Sequence, residues 1–248
     1  MKKIILAVLS VFVLAAPAMA KTTFNFDNLA LQSEFKSFSE DFGMALSYQP
    51  VSPAAPLGDK LPGFDAGVEV SYVKIDKGAS YFQKMDAVAG GDLPNALVLP
   101  RIHIQVGLPI IPIDLGVSYV SIPSSDMKLA GYEIKYALLK GGLAMPAIAI
   151  RGAYTKLTGV DVLDLSTKSL DISISKGILI FTPYAGVGQV WITSEPLGTV
   201  ATILKKEDIT KTKAFVGTKM KIFPFINLVV EGAFSNINVY TARLNVNF

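Results

Sequence analysis

The chain ends on Tyr240–Phe248, YTARLNVNF. Tyr240, Ala242, Leu244, Val246 and Phe248 fall on one side of an extended backbone; Thr241, Arg243, Asn245 and Asn247 fall on the other. Side chains alternate across a strand with period 2, so this spacing predicts a strand with one apolar and one polar face. Working backwards, the pattern recurs. Ile226–Ser235 sets Ile226, Leu228, Val230 and Phe234 against Asn227 and Glu231. Lys213–Ile222 sets Ala214, Val216 and Met220 against Lys213, Lys219 and Lys221. Lys168–Lys176, Ala147–Leu157, Lys128–Leu139, Ile113–Ile122, Leu97–Leu108 and Gly63–Ile75 alternate likewise. Leu179–Thr193 also reads as a strand, with its facing left open.

That makes about ten strands, with eight or twelve as alternatives. The segments match the roughly 9–11 residues with which a tilted strand crosses a bilayer. The chain has 248 residues, 51% hydrophobic and only 17% charged, with a mean hydropathy of +0.45. A usual soluble domain carries about 25% charge. With 23 Lys+Arg against 20 Asp+Glu and no Cys, these figures exclude a disordered chain, a nucleic-acid binder and a disulfide scaffold.

Met1–Ala20 reads as a secretory signal peptide: Lys2 and Lys3, an apolar stretch Ile4–Ala16, and Ala18-Met19-Ala20 before a cut after Ala20. No Cys follows, which excludes a lipid anchor there. The remaining 21 basic and 20 acidic residues leave a net charge of about +1. The longest uncharged run, Gly177–Thr193, holds Pro183 and three Gly and reads as strand rather than membrane helix. An apolar, exported chain without membrane helices is either a soluble β-sandwich or an outer-membrane barrel, and the periodicity favours the barrel. A last strand ending on an aromatic resembles the sorting signal that the barrel-assembly machinery reads, with Tyr240 and Phe248 as its aromatics.

The fold expected is therefore all-β: a transmembrane antiparallel β-barrel over residues 63–248. Short periplasmic turns fall at Pro109–Pro112, Lys140–Pro146, Lys176-Gly177 and Phe223–Phe225. Longer outer loops fall at Asp76–Ala96, Thr158–Thr167 and Ser194–Ile209, with short outer connections at Pro123–Asp126 and around Asn236. Both termini are then periplasmic. Residues 21–62 stand apart. Leu31, Phe35, Phe38 and Phe42 recur at helical spacing and predict an amphipathic helix of about 15 residues. Met44–Tyr48 alternates weakly, and PVSPAAPLGDKLP follows. This region is expected as a periplasmic helix, a helix packed on the barrel end, or a plug in the lumen.

PAIAIRGAYTKLTGVDVLDL (Pro146–Leu165) and SKGILIFTPYAGVGQVW (Ser175–Trp191) resemble an uncharacterised family of Gram-negative outer-membrane β-barrel proteins. GFDAGVEV (Gly63–Val70) and LPRIHIQVGLPIIPIDLGVSY (Leu99–Tyr119) fit the same pattern. The resemblance implies fold and location, and carries no catalytic residues. More distantly, the architecture is similar to barrels that pass hydrophobic compounds and place an N-terminal segment in the lumen.

The single His, His103, sits mid-strand and has no nucleophile–base pattern around it. There is no HExxH, so no metal and no cofactor is expected, and the chain is not read as an enzyme. Asp161, Asp164 and Glu207-Asp208 read as solvated loop carboxylates. Gly186–Gly188 (GVG) lacks a dinucleotide fingerprint and reads as relief of crowding in a small barrel. The informative group is the inward charges and their neighbour: Arg101, His103, Glu133, Lys135, Arg151, Asp171, Glu231 and Arg243. Facing lipid, an Arg or Lys at mid-bilayer costs about 2–4 kcal/mol. Inside, they form either a salt-bridged core or a narrow polar pathway. Tyr119, Tyr132, Tyr136, Tyr154, Trp191, Tyr240 and Phe248 read as aromatic girdles. The functional expectation is a narrow passive channel or transporter for a small solute, hydrophobic solutes among the candidates, located in the outer membrane. The alternative is a closed structural or interaction barrel that displays its outer loops. The partners expected are outer-membrane lipid, the assembly machinery and that solute.

Overall fold

A computed structural model describes residues 31–88, 91, 93–94, 96–121 and 126–248. The export segment with its cut after Ala20 lies outside the described residues, as does most of Pro123–Asp126. The strands are β1 (Gly63–Lys74), β2 (Ala96–Gly107), β3 (Ile113–Ser121), β4 (Lys128–Lys140), β5 (Ala147–Thr158), β6 (Leu163–Ser175), β7 (Phe181–Pro196), β8 (Glu207–Phe223), β9 (Ile226–Phe234) and β10 (Asn238–Asn247). Each pairs antiparallel with the next, and β1 pairs with β10, giving a closed ten-stranded barrel. Phe248 completes the seam. Its C=O accepts from the Phe64 N–H at 2.8 Å, its N–H donates to the Phe64 C=O at 3.0 Å, and the two rings lie 5.7 Å apart.

Gly63, Phe248 and four tight turns share one end of the barrel, here the terminal end. Ile110, Leu179 and Phe225 in three of these turns have positive φ and exposed side chains. The other end, the loop end, carries the longer connections. Two helices belong to it: α1 (Gln32–Leu46) and α2 (Ser80–Val88). Among the described residues no helix is long and apolar enough to cross a membrane.

Facing follows the period of 2. Ile104, Val117, Ile134, Ile172, Val187 and Val216 are exposed on the outside, while their neighbours in the chain turn inward. The facing of β7 is settled by its neighbours: Phe181, Val187 and Trp191 point out, and Tyr184, Val190 and Ile192 point in. Gly186 falls on the inner face with them, where a Cβ would stand 2.3 Å from the Phe215 ring.

Toward the loop end the polarity of the wall reverses. Val73, Leu99, Leu129, Leu157, Leu163, Leu165 and Ile192 turn inward and are buried. Lys156 and Asp164 pair with each other on the outside, and Thr193 donates to Asp208 at 2.8 Å. Lys168 and Trp191, register partners, stand where the two patterns meet. This reversal corrects two expected loops. β6 begins at Leu163 rather than Lys168, and β8 begins at Glu207 rather than Lys213. The loop at Thr158–Thr167 shrinks to residues 159–162, and that at Ser194–Ile209 to 197–206. A search for apolar-out alternation stops where the apolar side turns in. α2 lies within the expected Asp76–Ala96 loop and buries Tyr81, Phe82 and Met85.

α1 lines up Phe35 and Phe38 as buried side chains and stacks Phe38 on Phe42 with centroids 5.1 Å apart. It packs against β6, β7, β8 and α2. Gly43 permits the approach, since a Cβ there would lie 2.4 Å from Ile192. A 15-residue helix is marginal alone in water, so this packing is what holds it. Ser47 ends it, donating to the Met44 C=O at 2.8 Å, and Met44–Tyr48 forms no strand. Gly63 and Phe248, the two ends of the strand region, share one end of the barrel, but α1 does not lie there. Gln32 bonds Lys205 and Glu207 at the loop end, opposite Gly63 and Phe248. The chain must therefore travel the length of the barrel before β1 begins.

Candidate functional site

That passage is residues 47–58, and it runs through the lumen. The segment carries Pro50, Pro53 and Pro56, which have no N–H to satisfy in a buried place. Seven of its other backbone groups are met by side chains from the wall. Lys213 on β8 donates to the Tyr48 C=O at 2.8 Å. Glu231 on β9 accepts from the Val51 N–H at 2.9 Å, and Arg243 on β10 donates to the Val51 C=O at 3.3 Å. Val51 takes a left-handed φ of 42° to present both groups, a costly conformation for a β-branched residue. Lys135 on β4 reaches the Pro53 and Ala55 C=O at 3.1 and 3.0 Å. Ser175 on β6 accepts from the Ala54 N–H at 3.1 Å, and Asp114 on β3 from the Leu57 N–H at 3.1 Å. Arg151 on β5 donates to Ser52 Oγ at 2.9 Å. Tyr48 Oη lies 2.6 Å from Nε2 of His103 on β2.

Behind these contacts lies a connected charge network. Glu69 pairs with Arg101 at 2.8 Å, faces His103 Nδ1 at 3.3 Å and Arg243 Nε at 3.9 Å. Arg243 also pairs with Asp65 at 2.5 Å. Glu133 pairs with Arg151 at 2.7 Å, faces His103 Nε2 at 3.6 Å and accepts from Gln105. Arg151 approaches Asp171 at 3.9 Å, and Lys135 pairs with Asp114 at 2.9 Å. Tyr184 donates to Glu231 at 2.9 Å. Replacing a buried pair by apolar groups is often neutral, but removing one partner strands a charge and costs about 3–5 kcal/mol.

The structure brings all eight residues named from the sequence into this lumen: Arg101, His103, Glu133, Lys135, Arg151, Asp171, Glu231 and Arg243 are buried and face inward. Sequence reasoning left out Asp65, Glu69, Asp114 and Lys213 as site residues. The available signal was the alternation itself, which sets all four on the polar face of their strands. The named set holds Arg101, Lys135, Arg151 and Arg243 against Glu133, Asp171 and Glu231; the four others, with Lys219 beside Asp65 on the inner face of β8, bring the lumen to six cations and six carboxylates. Tyr48 and Ser52 had no strand pattern to reveal them. Tyr240 is on the outer face, its ring edge-on to Phe234 at 6.2 Å, and Phe248 is at the seam.

His103 is fully buried between Tyr48, Glu69 and Glu133. Asp164 pairs with Lys156, Asp208 with Lys206 at 3.4 Å, and Glu207 accepts from Gln32 at 2.5 Å. Among the described residues no group of His, Asp and Glu is placed to hold a metal ion. At the loop end the helices are tied down by polar contacts. Lys84 at 2.7 Å and Ser80 at 2.6 Å hydrogen-bond Glu34 and hold its carboxyl below the usual range. Burial pushes the Tyr81 phenol up, as does its 2.6 Å bond to Asp41. Asn236 donates to Asp41, and Lys211 pairs with Glu40, both at 2.5 Å.

The chain matches no protein-family model and no curated protein in sequence. Among solved structures, it is similar to the N-terminal β-barrel domain of Pseudomonas aeruginosa OprF. That likeness has 12% identity and a TM-score of 0.37, and covers 77% of this chain and 99% of that one. The KdgM porin gives 10% identity and 0.34, over 74% and 99% of the two chains. Ail of Yersinia pestis in complex with sucrose octasulfate gives 11% and 0.29, over 75% and 97%. At scores this low the fold of the chain rests on its own strand pairing.

Proposed function

We propose that this chain is an integral outer-membrane barrel that passes small solutes under the control of its own N-terminal segment, rather than through a standing pore. The observation that carries the reading is the path of residues 47–58. They cross the lumen and bond side chains from β2 to β6 and from β8 to β10. Water can take over these hydrogen bonds when the segment withdraws, although Val51 and Ala54 also lie in buried apolar clusters with Phe215 and Val229 and with Ala147 and Ala149. The membrane placement is supported by the outer apolar band, by Lys168 and Trp191 at its loop-side edge, and by the apolar tips of the terminal-end turns. On this reading the terminal end faces the periplasm, and Tyr240 and Phe248 serve assembly.

The test uses the absence of native cysteines. The variant Ala54→Cys/Ser175→Cys joins the segment to β6, where the Ala54 N–H already bonds Ser175. Solute uptake into proteoliposomes should occur with the unmodified protein, stop in the oxidised variant and return on reduction. Equal uptake in the oxidised and reduced variant overturns the gate. No uptake in any form, with the barrel folded, leaves the closed barrel that displays its loops.

A further inference from the structure

The segment that fills the lumen carries a spacing of its own. Pro50, Pro53 and Pro56 recur every third residue, in PVS, PAA and PLG. The wall answers with the same period. The N–H that follows each proline is one that a side chain takes: Val51 by Glu231 on β9 at 2.9 Å, Ala54 by Ser175 on β6 and Leu57 by Asp114 on β3, both at 3.1 Å. From β9 to β6 and from β6 to β3 are equal steps of three strands around the barrel. Donors take carbonyls between them: Arg243 that of Val51, and Lys135 those of Pro53 and Ala55. The lumen thus holds amide groups of both kinds, in a register set by the prolines.

The rest of the wall narrows the solute. Six cations stand with six carboxylates in the lumen, so a solute of either net charge meets no excess of the opposite sign. The segment's side chains are small, and two of them meet apolar wall: Val51 packs with Phe215 and Val229, and Ala54 with Ala147 and Ala149. A sugar hydroxyl set in either place would be buried without a partner. A hydrocarbon would leave unpaired the donors and acceptors that now hold the backbone. A peptide backbone with small side chains meets both demands.

Resting on the gated reading and adding to it the class of solute, we propose that the barrel passes short uncharged peptides with small side chains and proline at every third position. Such a peptide takes the place of residues 50–57 when they withdraw. The segment is then a tethered occupant of the solute's own site.

The experiment measures uptake by the full chain in proteoliposomes. The probe is the capped peptide acetyl-Pro-Val-Ser-Pro-Ala-Ala-amide, the sequence of residues 50–55. Three controls accompany it: the same composition with adjacent prolines, acetyl-Pro-Pro-Val-Ser-Ala-Ala-amide; the probe N-methylated at its Val and first Ala; and maltotriose. Uptake of the probe should saturate, and should stop in the oxidised Ala54→Cys/Ser175→Cys variant. Adjacent prolines remove the N–H that Glu231 takes and should raise the half-saturating concentration about fivefold, as expected for one hydrogen bond; N-methylation removes two and should raise it further. Maltotriose should show no saturation. Equal half-saturation for the three peptides, saturable maltotriose uptake at the same concentration, or entry of maltotriose without the probe overturns the peptide class; where oxidation still stops that entry, the gate stands. Probe entry that persists in the oxidised variant, or no entry of any solute, removes the gate and this inference with it.

Discussion

Halfway along the barrel the interior holds Arg101, Glu133, Lys135, Arg151 and Arg243, and the exterior holds Ile104, Val117, Ile134 and Ile172. Near the loop end the interior holds Leu129, Leu157, Leu163 and Leu165, and Lys156, Asp164 and Asp208 line the exterior. The same strands make both regions. One stretch has an apolar outer face and a polar filling, the other a polar outer face and an apolar filling. The difference teaches that a barrel wall has no single inside chemistry. Each face answers to what lies against it: the irregular segment 47–58 needs hydrogen-bond partners, whereas α1 and α2 need apolar area.

The largest effect should follow from breaking the mid-barrel network. Arg151→Met strands Glu133 and Asp171 and should cost about 4 kcal/mol, whereas Arg151→Met with Glu133→Gln should recover much of it. Urea unfolding of protein folded into vesicles measures both; equal losses would mean that pairing does not hold the lumen. Next is the apolar interior. Leu165→Ala, at a fully buried site, should cost about 3 kcal/mol in the same assay. A loss below 1 kcal/mol would show that the loop-end core is loosely packed.

One substitution made at two heights sharpens the contrast. Ile150→Arg, facing out in the apolar band, should cost about 2 kcal/mol. Ser166→Arg, facing out on β6 beyond Lys168, should stay within about 0.5 kcal/mol. Equal costs would erase the boundary, and a larger loss for Arg151→Ile than for Ile150→Arg would point to the lumen rather than lipid as the stricter solvent. The smallest effect concerns the helices. The carboxyl of Glu34 is held below its ordinary range, so its contribution is present above about pH 4.3 and is lost as pH falls through the folded value. Protection of the α1 amides, measured against their intrinsic exchange rate at each pH, should therefore fall in acid, and Glu34→Gln should flatten that fall.

The comparison also explains what could be read in advance. Strands such as β10 and β2 were legible because lipid demands apolar residues at every second position, leaving the other face to Thr241, Arg243, Arg101 and Gln105. The first residues of β6 and β8 were illegible because Leu163, Leu165 and Ile209 alternate in the opposite sense. α2 was hidden by its length, although Tyr81, Phe82 and Met85 carry a helical spacing. The eight inward residues could be named because the cost of a charge in lipid is local to each strand. Their partners could not, since Glu69 meets Arg101 and Arg243 only once β1 lies between β2 and β10.

By itself, the sequence determined about ten strands, the facing of all of them but β7, the helix around Phe35–Phe42 and the aromatic end at Phe248. These are short-range consequences of period and of the solvent on each face. The tertiary structure alone decided that α1 sits at the loop end and that PVSPAAP fills the lumen. Nothing in the periodicity of that segment specifies a partner. Its prolines only reduce the donors it must satisfy, and the side chains that bond it come from eight different strands, brought together when the barrel closes.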